Sequence, residues 1–352
     1  MILKFLLAIA LLVGVKLAYN TFVIKGAPQR ESPIDSAWWN GLSDEWKTIF
    51  LINQNLSQHS VDIYEIQKGY VNRLNKDGER SRGEMNTSLY NVHRENTFSL
   101  SYSDFYARAV REHHLQTTDS IDLAALALLE TVYMVNGPSD LSPLKKIRHL
   151  KVLIVNYGGM PYNVPIKEQS LDLAPLKTLS ELRVLHCSSS PVTSLKPIEN
   201  LIHLEDLECE NTRITSLAPL KKLVNLKRLS FGGQINTTKE ISHLVKLEEL
   251  YVKGCRNVSS IARLRNLKKL SLAENELSIV NGAYRITSLD FLKGLSALEH
   301  IDLNHTSYRG SLQVLSELKN LKAVTLPRVS STEAGAFKKT NPDCAIINAY
   351  EF

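Results

Sequence analysis

The apolar residues of this chain follow one repeating pattern from residue 120 onward. In residues 217–231 they occur in steps of three that end in a step of two: Leu217, Leu220, Leu223, Leu226, Leu229 and Phe231. Steps of three are typical of a turn-rich or loosely helical segment with one buried face. The closing step of two indicates a short strand, because alternate side chains of a strand point to the same side.

The pattern recurs nine times, and its period is close to 22 residues. The first residues of the closing pairs are Val132, Leu153, Leu185, Leu207, Leu229, Leu250, Leu270, Ile301 and Val324. The intervals between them are 21, 32, 22, 22, 21, 20, 31 and 23 residues, so two copies carry insertions. A single copy is too small to bury its own apolar face. Neighbouring copies must therefore stack into one continuous core.

Two of these copies carry a recognisable motif. The runs at 192–214 and 214–234 resemble the internalin-type leucine-rich repeat, with its L-x-x-L-x-L-x-x-N-x-I pattern followed by an L-x-P-L turn. The resemblance covers about residues 120–330. It implies an α/β leucine-rich-repeat solenoid, with a curved parallel sheet on the concave face and turns or 3₁₀ segments on the convex face. It also implies a non-catalytic binding scaffold.

The asparagine of the family motif is replaced in most copies. The corresponding positions hold Ser190, Thr212, Cys255, Asn275 and Thr306. A polar side chain at this position can bond to buried backbone groups in the turn after the strand, which is a structural role.

Four regions are predicted along the chain. They are a signal peptide or N-terminal membrane anchor at 1–24, a mainly helical N-terminal capping region at 34–118, the repeats at 119–329 and a C-terminal cap at 330–352. An amphipathic helix after Ser43 and the short helix and strand expected at 330–348 would close the two ends of the solenoid. Such ends need closing because exposed apolar repeats associate.

The first 24 residues bear on the compartment of the protein. Lys4 precedes the apolar run Phe5–Val15, which has the length of a signal-peptide core. Lys16 and Lys25 make the cleavage sites poor, and the apolar stretch extends to about 20 residues, near the length that spans a bilayer. A cleaved signal and an uncleaved tether through residues 2–24 both remain open. Either one predicts an extracytoplasmic protein that is secreted, periplasmic or anchored.

Composition and motifs exclude several classes of function. The 352 residues include 54 leucines and carry a net charge of +6, but no block of five like charges, so nucleic acid is not expected as a partner. No phosphate-binding glycine loop, nucleophile elbow or zinc-finger spacing is present. We therefore expect a protein with no cofactor and no catalytic residues. A structural envelope protein, or an enzyme with its site in the N-terminal region, are the alternatives.

The residues that flank the inward-pointing strand pairs are the candidates for binding a protein or a surface polymer. They should point outward from the concave face of the sheet. They are Tyr133, Ile154, His186, Asp206, Glu208, Glu210, Arg228, Glu249, Tyr251, Lys253, His300 and Asp302. This order predicts a face that is apolar at its start, acidic in its centre and mixed polar at its end.

The acidic centre raises the question of a metal ion. Asp206, Glu208 and Glu210 lie on one side of one strand, and hard oxygen ligands suit Ca²⁺. A solvated acidic strip that contacts a basic partner is the more common arrangement. No metal ion is therefore predicted.

The two insertions should emerge from one rim of the solenoid. They span Asn156–Ser170 and Glu276–Thr287 and hold Tyr162 and Tyr284 beside glycines. Tyrosine with glycine is the composition of adaptable binding loops. Both tyrosines are therefore predicted to contribute to partner binding.

Overall fold

A computed structural model describes residues 34–58, 121–135, 137–156, 170–255, 257–272, 286, 288–304, 306, 308, 311–326 and 331–348. The chain divides into two compact units, Met1–Gly41 and Leu42–Phe352. In the first, helix α1 (Ser36–Asn40) begins after Asp35, whose carboxylate accepts a hydrogen bond from the Trp38 amide at 2.8 Å. All remaining elements belong to the second unit.

The second unit is organised around one parallel sheet. Its ten strands follow each other in chain order. They are β1 (Thr131–Val135), β2 (Val152–Asn156), β3 (Val184–His186), β4 (Asp206–Cys209), β5 (Arg228–Gly232), β6 (Glu249–Lys253), β7 (Lys269–Ser271), β8 (His300–Asp302), β9 (Ala323–Leu326) and β10 (Ala345–Asn348).

The strand register confirms the repeat spacing read from the sequence. Val132 pairs with Leu153, Leu153 with Leu185, and the same alignment continues through every predicted anchor to Val324, which pairs with Ile346 of β10. These anchors are buried. The core is therefore a stack of aliphatic layers, one for each repeat.

A short 3₁₀ segment precedes each strand from β2 to β9. These segments are Ser142–Lys146, Ala174–Thr178, Lys196–Ile198, Ala218–Lys222, Lys239–Ile241, Ser259–Arg263, Asp290–Leu292 and Leu312–Glu317. Apolar residues spaced by three, within and directly beside each segment, are buried in the core. Leu220 lies within the segment Ala218–Lys222, and Leu217 and Leu223 flank it. The three-residue steps thus follow the three residues per turn of a 3₁₀ helix. The predicted leucine-rich-repeat solenoid is confirmed.

The turn that follows each strand depends on two neighbouring positions. The Thr212 hydroxyl donates to the Cys209 carbonyl at 2.9 Å, and the Thr306 hydroxyl donates to the Leu303 carbonyl at 2.7 Å, as expected for the asparagine position. The residue before Thr212, Asn211, has a φ of 51°. The equivalent residue one repeat later is Gly233, with a φ of 102°, where a Cβ would lie 3.0 Å from the Thr212 carbonyl oxygen. Glycine is required there because both the backbone angle and the close approach exclude a side chain.

Helix α2 (Asp44–Gln58) covers the open edge of the sheet at β1. The Asn53 side chain donates to the Tyr133 carbonyl at 3.0 Å and accepts from the Tyr133 amide at 2.8 Å. The Trp46 indole N–H donates to the Asp140 carbonyl at 3.1 Å. At Tyr133, Asn53 thus supplies the donor and the acceptor that a further strand would have supplied. This contact helps to protect an edge that would otherwise be open to pairing with another chain. A short helix α3 (Leu123–Ala127) precedes β1.

At the other end, helix α4 (Ser331–Thr340) follows β9 and leads into β10. Phe337 of α4 is buried against the last repeat. All four cysteines, Cys187, Cys209, Cys255 and Cys344, are buried free thiols.

Several predicted segments lie outside the described residues: the leader at 1–24, most of the capping region (59–118), and nearly all of both insertions. Among the described residues, no helix is long and apolar enough to span a membrane.

A charge-paired surface on the sheet

Two columns of side chains form the open face of the sheet, which we call the sheet face. The first column holds the residue before each strand anchor: Thr131, Val152, Val184, Asp206, Arg228, Glu249, Lys269, His300, Ala323 and Ala345. The second holds the residue after each anchor: Tyr133, Ile154, His186, Glu208, Ser230, Tyr251, Ser271, Asp302, Thr325 and Ile347. The parallel register therefore brings most predicted binding residues onto one surface.

The centre of this face is a network of alternating charges. Arg228 lies between the acids of its two neighbouring strands. Its guanidinium contacts Asp206 at 3.2 Å, Glu208 at a shorter distance, and Glu249 at 3.5 Å. Lys269 continues the series with a contact of 2.8 Å to Glu249. Equivalent positions of adjacent strands lie about 4.8 Å apart, so unlike charges in one column attract each other directly.

His186 closes the network on the side of β3. Its ring nitrogens lie 3.3 Å from Asp206 and 3.6 Å from Glu208. Burial opposes protonation of the ring, but the two carboxylates outweigh that effect and raise the pKa of His186. The two carboxylates thus stabilise the protonated form of the imidazole.

Tyr251, Glu249 and Lys269 form a partly exposed part of the network, in which the Glu249 side chain is 27% exposed and the Lys269 side chain 37%. The Tyr251 hydroxyl donates to Glu249 at 3.1 Å, and the guanidinium of Arg228 lies 5.3 Å from the centre of the Tyr251 ring. Burial opposes ionisation of Glu249, but hydrogen bonding and charge from Lys269 lower its pKa below the usual range. Glu249, Tyr251 and Lys269 therefore present a fixed, partly exposed polar patch.

The structure changes the interpretation of the acidic centre. His186, Asp206 and Glu208 have ligand atoms within 4.8 Å of one another, which is close enough for a metal ion. The guanidinium of Arg228 already contacts both carboxylates, however, and Glu210 accepts a hydrogen bond from the Ser230 hydroxyl. The charge that a Ca²⁺ ion would neutralise is thus balanced by side chains.

Some predicted residues are on the sheet face but are not open to solvent. Among the described residues, Tyr133, Ile154, His186, Asp206, Lys253 and Asp302 are buried. The Tyr133 backbone is bonded to the Asn53 side chain of α2, and Ile154 lies between Tyr133 and His186 in the column. These residues therefore lie on the outward face, as expected, but they are little exposed, because neighbouring side chains of a column cover one another.

Asp302 is the most deeply buried of these residues, at 1% exposure. Its carboxylate accepts hydrogen bonds from the Asn304 amide at 2.9 Å and the Ser271 hydroxyl at 3.4 Å. Burial raises the pKa of Asp302 to about 6, against the effect of these hydrogen bonds. His300, one position earlier on the same face, has a pKa lowered by burial and by Lys269.

Lys269 is the residue that the sequence analysis missed. It occupies the column position of Asp206, Arg228 and Glu249. Aligning the repeats by their anchors and comparing the preceding residues would have revealed the order Asp, Arg, Glu, Lys. Tyr162 and Tyr284 lie outside the described residues, so their predicted place on the rim remains a prediction.

Comparison with known proteins places the chain in a family. The family model described as "Leucine-rich repeat region" matches residues 123–337. A search of curated protein sequences finds no significant match.

Solved structures with a similar fold include a leucine-rich repeat protein of Leptospira interrogans, with 22% identity and a TM-score of 0.50. That match covers 66% of this chain and 58% of the other, so this chain spans less than two thirds of its neighbour's length. An internalin of Listeria monocytogenes also matches, with 22% identity, coverage of 66% of this chain and 71% of the other, and a TM-score of 0.48. With its repeat spacing, register and family match in agreement, the chain belongs to the leucine-rich repeat region family.

Proposed function

We propose that this protein is a non-catalytic binding scaffold outside the cytoplasm, which recognises a protein or a surface polymer through the sheet face and the rim loops. The observation that carries the proposal is the polar patch of Glu249, Tyr251 and Lys269. Its side chains are held in place by mutual contacts and are still partly exposed. A surface that is ordered before binding loses little side-chain entropy when a partner docks.

The absence of a catalytic role is supported by the state of the reactive groups in the described residues. Burial raises the pKa of Cys187 to about 12 and that of Cys255 to about 11, so neither is a ready nucleophile. The His186 ring is held between two carboxylates and beside Arg228 within an ion-paired network. A general base near neutral pH needs a group free to exchange its proton with a substrate.

The location outside the cytoplasm is supported by the apolar leader. Mass measurement of the protein isolated from its native cells separates the two forms, since a cleaved signal removes the first residues and a tether through residues 2–24 retains them. A full-length chain in a cytoplasmic fraction would contradict the proposed location.

Site-specific crosslinking tests the binding surface. A photo-crosslinking phenylalanine analogue is placed at Tyr251 of the full chain, and the same group is placed at Lys196 as a control on the opposite side. We expect an adduct from Tyr251 in the native envelope, and we expect Lys269→Gln to reduce it at a temperature where thermal unfolding shows that the variant is still folded. Equal adducts from both positions, or none from Tyr251, would contradict the assignment.

A further inference from the structure

One position on the turn side of the solenoid is exposed in each of the repeats from β2 to β9. It is the residue five places before each strand anchor, and it directly follows a buried residue six places before the anchor. We call this set the turn row: Arg148, Ser180, Ile202, Val224, Val245, Arg265, Ser296 and Lys319. No member of the row is acidic.

Three adjacent repeats place aliphatic residues in this exposed row. Ile202 is 48% exposed, Val224 is 47% exposed and Val245 is 55% exposed. Successive repeats stack with the spacing of the sheet, so the three side chains form one continuous column. A single exposed aliphatic residue is ordinary, but three at the same position of successive repeats, where the rest of the row is polar, call for an explanation.

The surroundings of this column are basic. Lys222 donates to the Asn200 amide oxygen at 2.9 Å, and Lys246 donates to the Asn225 amide oxygen at 2.7 Å. Both lysines thus bond to neutral groups, and neither forms an ion pair with a described carboxylate. The pKa of Glu199 is lowered by its hydrogen bond to Lys196 and also by the charge of Lys222, so the charge of Lys222 is compensated only in part. Arg265 follows Val245 in the row, and it forms no ion pair with any described carboxylate.

The neighbouring row of the same turns shows the opposite arrangement. The residues two places before the strand anchors form ion pairs across repeats: Arg183 and Lys227 with Glu205 at 2.7 and 2.6 Å, Lys268 with Glu248 at 2.6 Å, and Lys322 with Glu299 at 2.6 Å. The solenoid therefore neutralises charge where it can be paired internally. The lysines beside the aliphatic column are instead bonded to neutral amides.

We propose that the Ile202, Val224 and Val245 column, with Lys222 and Lys246, is a docking edge for an anionic phospholipid surface. The aliphatic side chains would enter the boundary between headgroups and acyl chains, and the lysines would contact the phosphates. Apolar residues flanked by lysines are the composition of segments that lie on membranes. The proposed extracytoplasmic location supplies the membrane, but the edge does not depend on the sheet face.

Two other occupants fit the edge less well. A second copy of the chain would bring like charges together around the column, which opposes self-association. An acidic protein would satisfy the lysines, but the column is a narrow ridge three side chains long. A stable complex with a protein buries more surface area than this ridge offers, even if the partner has a pocket that receives the three side chains.

A fluorescent probe on the edge tests the proposal in the full chain. Val224→Cys introduces an exposed thiol, whereas the four native cysteines are buried and have raised pKa values. The thiol is labelled with an environment-sensitive fluorophore. Vesicles contain either pure phosphatidylcholine or phosphatidylcholine with phosphatidylglycerol. Ser296→Cys, in the same row but outside the column, is the matched control.

We expect a blue shift of the probe at position 224 with anionic vesicles only, and no shift at position 296. An N-terminal tether would hold both variants at both kinds of vesicle, so the difference reports the edge itself. Adding Lys222→Gln and Lys246→Gln should lower the shifted fraction about fivefold for each lysine, and raised salt should act in the same direction.

The remaining outcomes overturn the proposal. A probe at position 224 that stays in water on anionic vesicles excludes the lipid edge. A shift that is equal on neutral and anionic vesicles shows simple proximity from the tether. Crosslinking of two chains through the position 224 thiol, without vesicles, shows that a second copy covers the column. None of these results affects crosslinking at Tyr251, so the two proposals fail independently.

Discussion

The sheet face and the turn row are built on the same repeats, yet they carry charge in different ways. On the sheet face, Asp206, Arg228, Glu249 and Lys269 alternate in sign and contact one another across four strands. On the turn row no acid is present, and the aliphatic centre lies beside lysines that bond to neutral amides.

Geometry explains the difference. Side chains of one sheet column project in parallel from strands about 4.8 Å apart, so like charges there would repel and unpaired charges would be partly buried. Turn-row side chains project into solvent, where water satisfies them. Substitutions on the sheet face should therefore change stability, and substitutions on the turn row should change binding alone.

The largest effect is expected from removing the central cation of the sheet face. Arg228→Met leaves Asp206 and Glu208 close together, with only the His186 ring as a shared partner. Breaking a buried ion pair from one side typically costs about 3–5 kcal/mol. Urea unfolding of the variant and the wild type measures the loss. Arg265→Met, on the turn row, should stay within about 0.5 kcal/mol. Equal losses in the two variants would remove the distinction between the surfaces.

The second effect is a pH dependence that arises from Asp302. Its pKa is raised to about 6 in the folded state from an ordinary value of 3.8. The folded state therefore holds the proton more tightly, and this stabilisation is full below pH 3.8 and is lost as the pH rises through 6. The loss amounts to about 2–3 kcal/mol at neutral pH.

Asp302→Asn isolates this term. The amide keeps an acceptor for the Asn304 N–H but does not ionise. The difference in unfolding free energy between variant and wild type should shift in favour of the variant between pH 4 and 7. Other groups titrate equally in both proteins and cancel. A difference that does not change with pH would show that Asp302 is solvated in the folded state.

Arg228 and Asp302 also show how far the structure could be predicted from the sequence alone. The repeat spacing identified every strand anchor from Val132 to Val324, because one leucine-rich layer per repeat is a strong periodic signal. The same spacing placed Asp206, Arg228 and Glu249 on one face. Their mutual contacts follow from the register and could have been derived by comparing columns between repeats.

Burial on the sheet face was harder to predict. Asp302 and Lys253 occupy positions that alternate with the core and should be exposed on a simple strand pattern, yet both are buried. Packing between neighbours, such as Lys253 against the bare backbone of Gly232, depends on side-chain sizes in three adjacent repeats. A pattern read along one strand does not contain that information. The aliphatic column of Ile202, Val224 and Val245 was not predicted for a related reason. In a chain so rich in leucine, three more aliphatic residues do not differ visibly from the core positions of the repeats.

A smaller effect is expected from the ion-paired row beside the turn row. Glu205 contacts Arg183 and Lys227, and hydrogen bonding and charge from Lys227 lower its pKa despite partial burial. Because the folded-state pKa is lowered, its stabilisation is present above the ordinary pKa and is lost as the pH falls. Glu205→Gln should cost at most about 1 kcal/mol at pH 7, since the group is near the surface. Unfolding at pH 7 in low and high salt checks this value, and at pH 3 the two proteins should converge.

The smallest effect on stability is expected from the column itself, and it is the sharpest test of the comparison. In the triple variant Ile202→Ser, Val224→Ser and Val245→Ser, each site takes the residue found at Ser180 and Ser296 in the same row. These side chains are about half exposed and lie outside the core. The free energy of unfolding measured in urea should therefore change by no more than experimental error, about 0.5 kcal/mol. Contact of the edge with anionic vesicles should be lost in the same protein, as measured by a probe on an adjacent introduced thiol, His203→Cys. A variant that unfolds more easily would show that the column packs within the fold, whereas a stable variant that no longer contacts vesicles would establish that the aliphatic column serves contact with the membrane and not the stability of the solenoid.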